Sequence, residues 1–180
     1  MNLTLLKSYA KAIFGIAKEK NLIEEVSNDL TFLCSLFKKN PDFVKFLSSP
    51  MINHQEKEEM LDKCIKEKVQ GCSYAFLKVL LKRHAIQYLE KIVEEYRHIY
   101  NENHNILEGK IFTSFLLDEE RLHQIEQIFS EKYHKQVVLK NLIDKRVIAG
   151  MKIYIADTLY DYSVDSKLNQ VRDKVLYHKK

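Results

Sequence analysis

Seven histidines, three cysteines and several adjacent carboxylates are the side chains of this 180-residue sequence that could bind a metal, move a proton or attack a substrate. A metal needs ligands that converge, such as His at i and i+4 of one helix or paired Cys in a zinc loop. The histidines fall at 54, 84, 98, 104, 123, 134 and 178, and no two of them make an H-x-x-x-H pair. His98 and His104 stand six apart across the end of a predicted helix, a poor geometry for holding one ion. Cys34, Cys64 and Cys72 have no zinc spacing, and each falls among apolar residues of a predicted helix, so they read as small packed side chains. An odd number of cysteines with no export signal predicts reduced thiols. Glu58-Glu59, Glu94-Glu95 and Glu119-Glu120 are sequence neighbours, so on helices they point in different directions and read as solvated faces. Arg121 and Lys132 flank the aromatic residue Phe129, but that aromatic repeats at core spacing. The sequence contains no G-x-x-x-x-G-K-[ST], G-x-G-x-x-G or G-x-S-x-G, so a nucleotide cradle and a serine elbow lack support. The expectation is no catalytic, cofactor-binding or metal-binding residue, no cofactor, and no enzyme.

Function must then lie in surfaces, and hydrophobic periodicity shows which elements carry them. From residue 3 to about 101 the period is helical. A first helix is predicted over 3–20. A second, 22–39, has Leu22, Val26, Leu30, Leu33 and Phe37 on one stripe and ends before Asn40-Pro41. A short third carries Phe43, Val44, Phe46 and Leu47 and is stopped by Ser48-Ser49-Pro50. Asn53 followed by Glu56 predicts a capping box opening a fourth, with Met60, Leu61, Cys64 and Ile65 inward. Gly71 marks the break before a fifth, 72–83. A sixth, 86–100, has the stripe Ile86, Leu89, Ile92, Val93, Tyr96, Ile99 and Tyr100. Short connections between six helices predict an antiparallel bundle.

After the polar stretch 101–105 the pattern changes. Leu107, Gly109, Ile111, Thr113 and Phe115 alternate, predicting a strand over 106–115. Asp118 caps a helix with Leu122, Ile125, Phe129 and Tyr133 on one face. Residues 137–142, 149–155 and 159–162 read as three more strands, and Ser163 opens a last helix with Val164, Leu168, Val171 and Val175 at core spacing. The predicted architecture is mainly α: an N-terminal six-helix bundle (1–105) followed by a small α+β domain (106–180).

Composition narrows the function further. Hydrophobic residues at 46% and charged residues at 30% suit a folded globular chain, Gly 4 leaves little room for phosphate-cradling loops, and Pro 2 argues against Pro-rich linkers. No apolar run approaches the ~20 residues that span a bilayer. The net charge of +4 is spread evenly, with 16 basic against 14 acidic residues up to Asn105 and 13 against 11 beyond it. No basic cluster marks a nucleic-acid surface.

Two helices carry more apolar surface than one core can use. At ~100° per residue the first has an apolar arc of about 200°. Leu6, Ala10, Ile13, Phe14 and Ala17 suffice for a bundle core, which leaves Leu5, Tyr9, Ala12 and Ile16 without a partner. On the fifth, Phe76, Leu77, Val79, Leu80 and Leu81 leave only a strip at Lys78 and Lys82. Either both helices lie at the bundle centre, or they flank a groove for an amphipathic helix of another protein. Periodicity alone does not separate the two.

Short motifs in order along the chain point to a family. Ser8-Tyr9-Ala10-Lys11-Ala12-Ile13-Phe14 resembles the RYAKALF opening of the F-type ATP synthase delta subunit, the homologue of the mitochondrial oligomycin-sensitivity-conferring protein. Phe46-Leu47-Ser48-Ser49-Pro50 is similar to its FLSSP, and Tyr100-Asn101-Glu102 to its YNE. Thr113-Ser114, Val137-Val138-Leu139, Ile148-Ala149-Gly150 and Asp161-Tyr162-Ser163-Val164 resemble its C-terminal signatures. There are departures. Lys82-Arg83-His84 replaces Asn-Gly-Arg, Ala156-Asp157 replaces a Gly-Asp turn, Tyr162 replaces a Gly, and Asp165-Ser166 stands where a basic residue and Gly are usual.

The resemblance implies a peripheral-stalk (stator) subunit of the proton-translocating F-type ATP synthase, linking the catalytic head to the b stalk. It implies that the N-terminal domain holds the N-terminal helix of an alpha subunit with its first and fifth helices. The candidate groove residues are Tyr9, Ala12, Ile13, Ile16, Phe76, Val79, Leu80 and Arg83. The C-terminal domain would meet the b-type stalk subunit, for which Val164, Leu168, Val171 and Val175 are the candidates, with a core role for these four an equal alternative. Neither nucleic acid nor direct membrane insertion is expected. The absence of a transit peptide favours peripheral attachment at the cytoplasmic face of a bacterial membrane. The competing reading is an RNA-binding helical bundle of the antitermination type, whose affinity would fall steeply with salt.

Overall fold

The computed structural model describes residues 2–177, with side chains described as far as Asp173. The chain is mainly helical with a small four-stranded sheet, and it divides into two compact units, one ending at Tyr100 and one beginning at Asn101.

In the first unit, α1 (Leu3–Glu19) starts where the Asn2 side chain accepts the Thr4 N–H, and α2 (Ile23–Lys39) runs up to Asn40. Pro41 opens α3 (Pro41–Ser48), a position where its missing N–H costs nothing. The Asn53 side chain accepts the Gln55 N–H at the start of α4 (His54–Cys64). Next comes α5 (Gly71–Lys82), whose end is closed by His84 in the left-handed conformation (φ 52) and an Ala85 N–H bond to the Leu80 carbonyl. That tight exit makes 86–88 a 3-10 turn, so α6 (Leu89–Asn103) begins three residues later than periodicity suggests.

The buried face of α1 is Leu6, Ala10, Ile13, Phe14 and Ala17. It packs with the α2 stripe Val26, Leu30, Leu33 and Phe37 and the α6 stripe Leu89, Ile92, Val93 and Tyr96. Tyr96 is fully buried, meets Phe14 edge to face at 5.6 Å, and donates its hydroxyl to the Ile23 carbonyl at 3.1 Å. Met60 is exposed rather than inward, because the buried face of α4 centres on Leu61, 100° away. Lys57 is buried instead, its ammonium donating to the Ser49 carbonyl beyond the end of α3.

The second unit is built on β1 (Ile106–Thr113), α7 (Glu119–Tyr133) and β2 (Gln136–Ile143), a crossover that makes β1 and β2 parallel. β3 (Lys152–Ile155) and β4 (Thr158–Asp161) add antiparallel pairs, giving the order β2-β1-β3-β4, and α8 (Val164–Tyr177) follows. Its core is Ile111, Phe129, Val137, Leu139, Ile153 and Ile155. Gly109 lets these close up: a Cβ there would lie 2.6 Å from both Ile155 Cγ1 and Leu139 Cδ2.

Two strands are shorter than predicted. β1 stops at Thr113, whose hydroxyl donates to the Phe115 carbonyl at 2.6 Å while Asn141 Oδ1 takes the Leu117 N–H, so Phe115 is turned out to solvent. Residues 149–151 precede β3 without joining it. The Ala149 carbonyl accepts the Val164 N–H, and Gly150 (φ +89) lies so near the Tyr162 carbonyl that a Cβ would approach to 2.3 Å. Between β3 and β4 the two-residue turn sets Ala156 (φ 47) and Asp157 (φ 61) both in the left-handed region, which a twisted hairpin requires. An Ala there is strained where Gly is not. Ala156→Gly is therefore expected to stabilise the protein by about 0.5–1 kcal/mol in chemical denaturation. A lower midpoint would show that the unfolded chain's entropy outweighs the strain.

Candidate functional site

Side by side, α1 and α5 enclose an open groove of about 440 Å³. Their sequences explain it. Each has apolar residues on the face turned to the core and more on the face beside it, so the strip between them is left uncovered. Ile13 (0% exposed) and Phe76 (7%) form its floor and belong to the core as well. Half-buried Tyr9, exposed Ala12, Ile16 (42%) and Val79 (48%) stand along it.

Six of the eight residues expected from sequence are thus brought together. Leu80 and Arg83 are not among the lining residues. Leu80 is fully buried because it lies on the α5 face turned into the unit's interior, and Arg83 is the exposed C-cap of α5. Four lining residues lay outside the expectation: Lys20, Gly71, Cys72 and Ala75. The signal for Ala75 was its position one turn before Val79, masked by its small size. Leu5 is exposed at 45%, on the same side of α1 as Ala12 and Ile16.

Electrostatically the groove is nearly blank. Lys20 is the one charged residue among those lining it. Lys78 is committed elsewhere, 3.5 Å from the Glu58 carboxylate and 5.4 Å from the Tyr74 ring centroid. No Asp or Glu occurs in α5, and α1 has only Glu19, at its last position. Such a strip offers little to a polar ligand and much to the apolar stripe of a helix. Among the described residues no group of His, Cys, Asp and Glu could hold a metal, and no helix is long and apolar enough to cross a membrane. All three cysteines are free; burial pushes the Cys34 thiol up to about 11, which keeps it protonated and unreactive.

The second unit offers its own apolar surface. Val164, Leu168 and Val171 share one side of α8 and are 43%, 61% and 58% exposed, so the core role that their spacing allowed does not hold for these three. The fourth residue of that set, Val175, has its side chain outside the described residues. The base of α8 is firmly tied. The Asp161 carboxylate accepts the N–H and hydroxyl of buried Ser163, and this holds its pKa below the usual value. A smaller hollow of about 270 Å³ lies between α7 and the sheet, lined by Ile125, Ile128, Phe129, Lys132, Met151, Ile153 and Tyr162. At its edge the Tyr133 and Tyr160 hydroxyls share a 2.8 Å hydrogen bond, and the Lys132 ammonium sits 4.1 Å from the Tyr160 ring centroid. These contacts lower the Tyr160 pKa, through the bond from Tyr133 first and Lys132 second.

Comparison with known proteins assigns both units at once. The family model described as "ATP synthase delta (OSCP) subunit" matches residues 5–175. An ATP synthase subunit delta of Lactobacillus johnsonii is 31% identical over 169 residues, covering 93% of this chain and 92% of the relative. A subunit delta of Clostridium beijerinckii is 28% identical over 172 residues, covering 96% of each. A chain in the cryo-EM structure of the Toxoplasma gondii mitochondrial ATP synthase hexamer has the same fold, with a TM-score of 0.69 at 20% identity over 96% of this chain and 97% of that one. The RNA-binding alternative finds no support in matches that run through both units. From its apolar groove to its final helix, the chain belongs to the ATP synthase delta (OSCP) subunit family.

Proposed function

We propose that the groove between α1 and α5 holds the N-terminal helix of an ATP synthase alpha subunit, and that the second unit meets the b-type stalk subunit. Family membership makes the chain a non-catalytic peripheral-stalk subunit, and the proposal assigns its two ends to the two halves of that linkage. The six helices up to about residue 105 would serve as the alpha-binding bundle and the remainder as the stalk-binding domain. The observation that carries the reading is the apolar groove, with Lys20 the one charged residue among those lining it, which the side chains of its own unit leave uncovered. On the second unit, the exposed stripe Val164, Leu168 and Val171 is the surface of matching character for the stalk. The bacterial relatives and the absence of a spanning helix among the described residues favour peripheral attachment at the cytoplasmic face of a bacterial membrane.

Calorimetric titration with a peptide of the first ~20 residues of the alpha subunit from the same genome tests the groove. The expected result is one-to-one binding with a negative heat-capacity change and little dependence on salt. A nanomolar Kd, roughly 12 kcal/mol, lies within reach of an apolar helix buried in such a groove. Absence of binding by the intact, folded chain would overturn the assignment.

A further inference from the structure

The start of α5 is poorly provided for by its own residues. Gln70 is the N-cap (φ −60, ψ 148), yet its side chain makes no capping bond, and the first turn contains no acidic residue. Gly71 follows, a weak helix former. The chain leading in is also loosely held: Lys66, Glu67, Lys68 and Gln70 are exposed and only Val69 is half-buried. What secures this end comes from another helix. Asp29 of α2 accepts the Gln70 N–H on Oδ2 at 2.8 Å, a contact spanning 41 residues. Its carboxylate holds the backbone of the N-cap residue itself, as the third-position acid of a capping box does, and places negative charge where a helix N-terminus favours it.

The two residues that follow, Gly71 and Cys72, line the groove. We propose that Asp29, which does not itself line the groove, is its positioning residue: by pinning the start of α5 from α2 it keeps that end of the wall formed before an occupant arrives. Without it the first turn of α5 frays, and an incoming helix binds only the ordered fraction, so its apparent affinity falls by that fraction. The affinity part of this inference rests on the reading of the groove as a partner site; the ordering of α5 does not.

The test uses the full chain with Asp29→Ala and Asp29→Asn. In Asp29→Ala, amide hydrogen exchange at Gln70 and at Tyr74, whose N–H bonds the Gln70 carbonyl, should rise about tenfold, and affinity for the alpha-subunit peptide should fall about three- to tenfold. The methyl signals of Val79, two turns along α5, should keep their shifts. Asp29→Asn, whose amide oxygen still accepts, should return exchange and affinity to within about twofold of the parent. Unchanged exchange at Gln70 in Asp29→Ala overturns the proposal. So does parental affinity in that variant, or a change that spreads equally to Val79, the mark of general destabilisation. If the parent chain binds no peptide, the partner reading falls, and exchange at Gln70 alone decides the role of Asp29.

Discussion

Ala12→Asp is expected to weaken binding of the alpha-subunit peptide by about a hundredfold or more while the protein stays folded. Ala12 is exposed on α1, and its methyl group faces the groove rather than the core. In the free protein an added carboxylate there remains in water and costs little. Once an apolar helix covers it, the charge loses its water and meets no adequate partner. Lys20, the lone lining cation, is eight residues on, about 12 Å along the helix. Leu80→Asp makes the contrasting variant. Leu80 is fully buried one turn after Phe76, on the side of α5 turned into the core, so a charge at that position should unfold the first unit outright. Calorimetry paired with circular dichroism reads both. Undiminished affinity in a folded Ala12→Asp protein would remove Ala12 from the contact.

Tyr96→Ala should have the largest effect on stability of any single truncation in the first unit, about 3–5 kcal/mol. That is a large part of the 5–15 kcal/mol typical of a whole protein. The side chain joins three helices: its ring lies on α6, packs on Phe14 of α1, and its hydroxyl reaches the Ile23 carbonyl of α2. Truncation removes the ring and leaves a cavity lined by residues that cannot all collapse. Tyr96→Phe keeps the ring and should cost only about 1 kcal/mol for the lost hydrogen bond. The same burial raises the phenol from 10.0 to about 12. Between those values the unfolded chain has released a proton that the folded one retains, so stability is intact below pH ~10 and declines toward pH ~12. Tyr96→Phe should lack that decline. Chemical denaturation across this pH range checks both statements, and an equal loss in the two proteins would assign it to other groups.

The division of labour on α1 was legible because its apolar arc is wide enough to split. Leu6, Ala10, Ile13, Phe14 and Ala17 are buried, while Leu5, Ala12 and Ile16 stay outside. On α5 the same reasoning fails for a physical reason. When nearly every position is apolar, rotation about the helix axis is not fixed by hydropathy, and small residues invert the pattern. Ser73 is buried and Ala75 exposed, and Val79 faces out while Leu80 faces in. A stripe also says nothing about what covers it: Val164, Leu168 and Val171 repeat like core residues yet stand in solvent. In the second unit the strand ends depended on distant partners such as Asn141 and Tyr162, which no local pattern of residues 113–117 or 149–151 reveals. The contact of Asp29 with Gln70 belongs to the same class, two polar residues in separate helices with nothing in their spacing to join them.

Ile13 and Phe76 are at once the bottom of the groove and part of the interior of the first unit. A helix seated on them is gripped by side chains that cannot yield without disturbing their own neighbours. Tension on such a helix passes straight into the packed interior, in series with it, instead of stopping at a compliant surface loop. In a single-molecule pulling experiment the rupture force of the seated helix and the unfolding force of the unit should therefore rise and fall together across core variants. The grip is as stiff as the body behind it, a useful property in a part that must resist torque at every turn of a rotary machine.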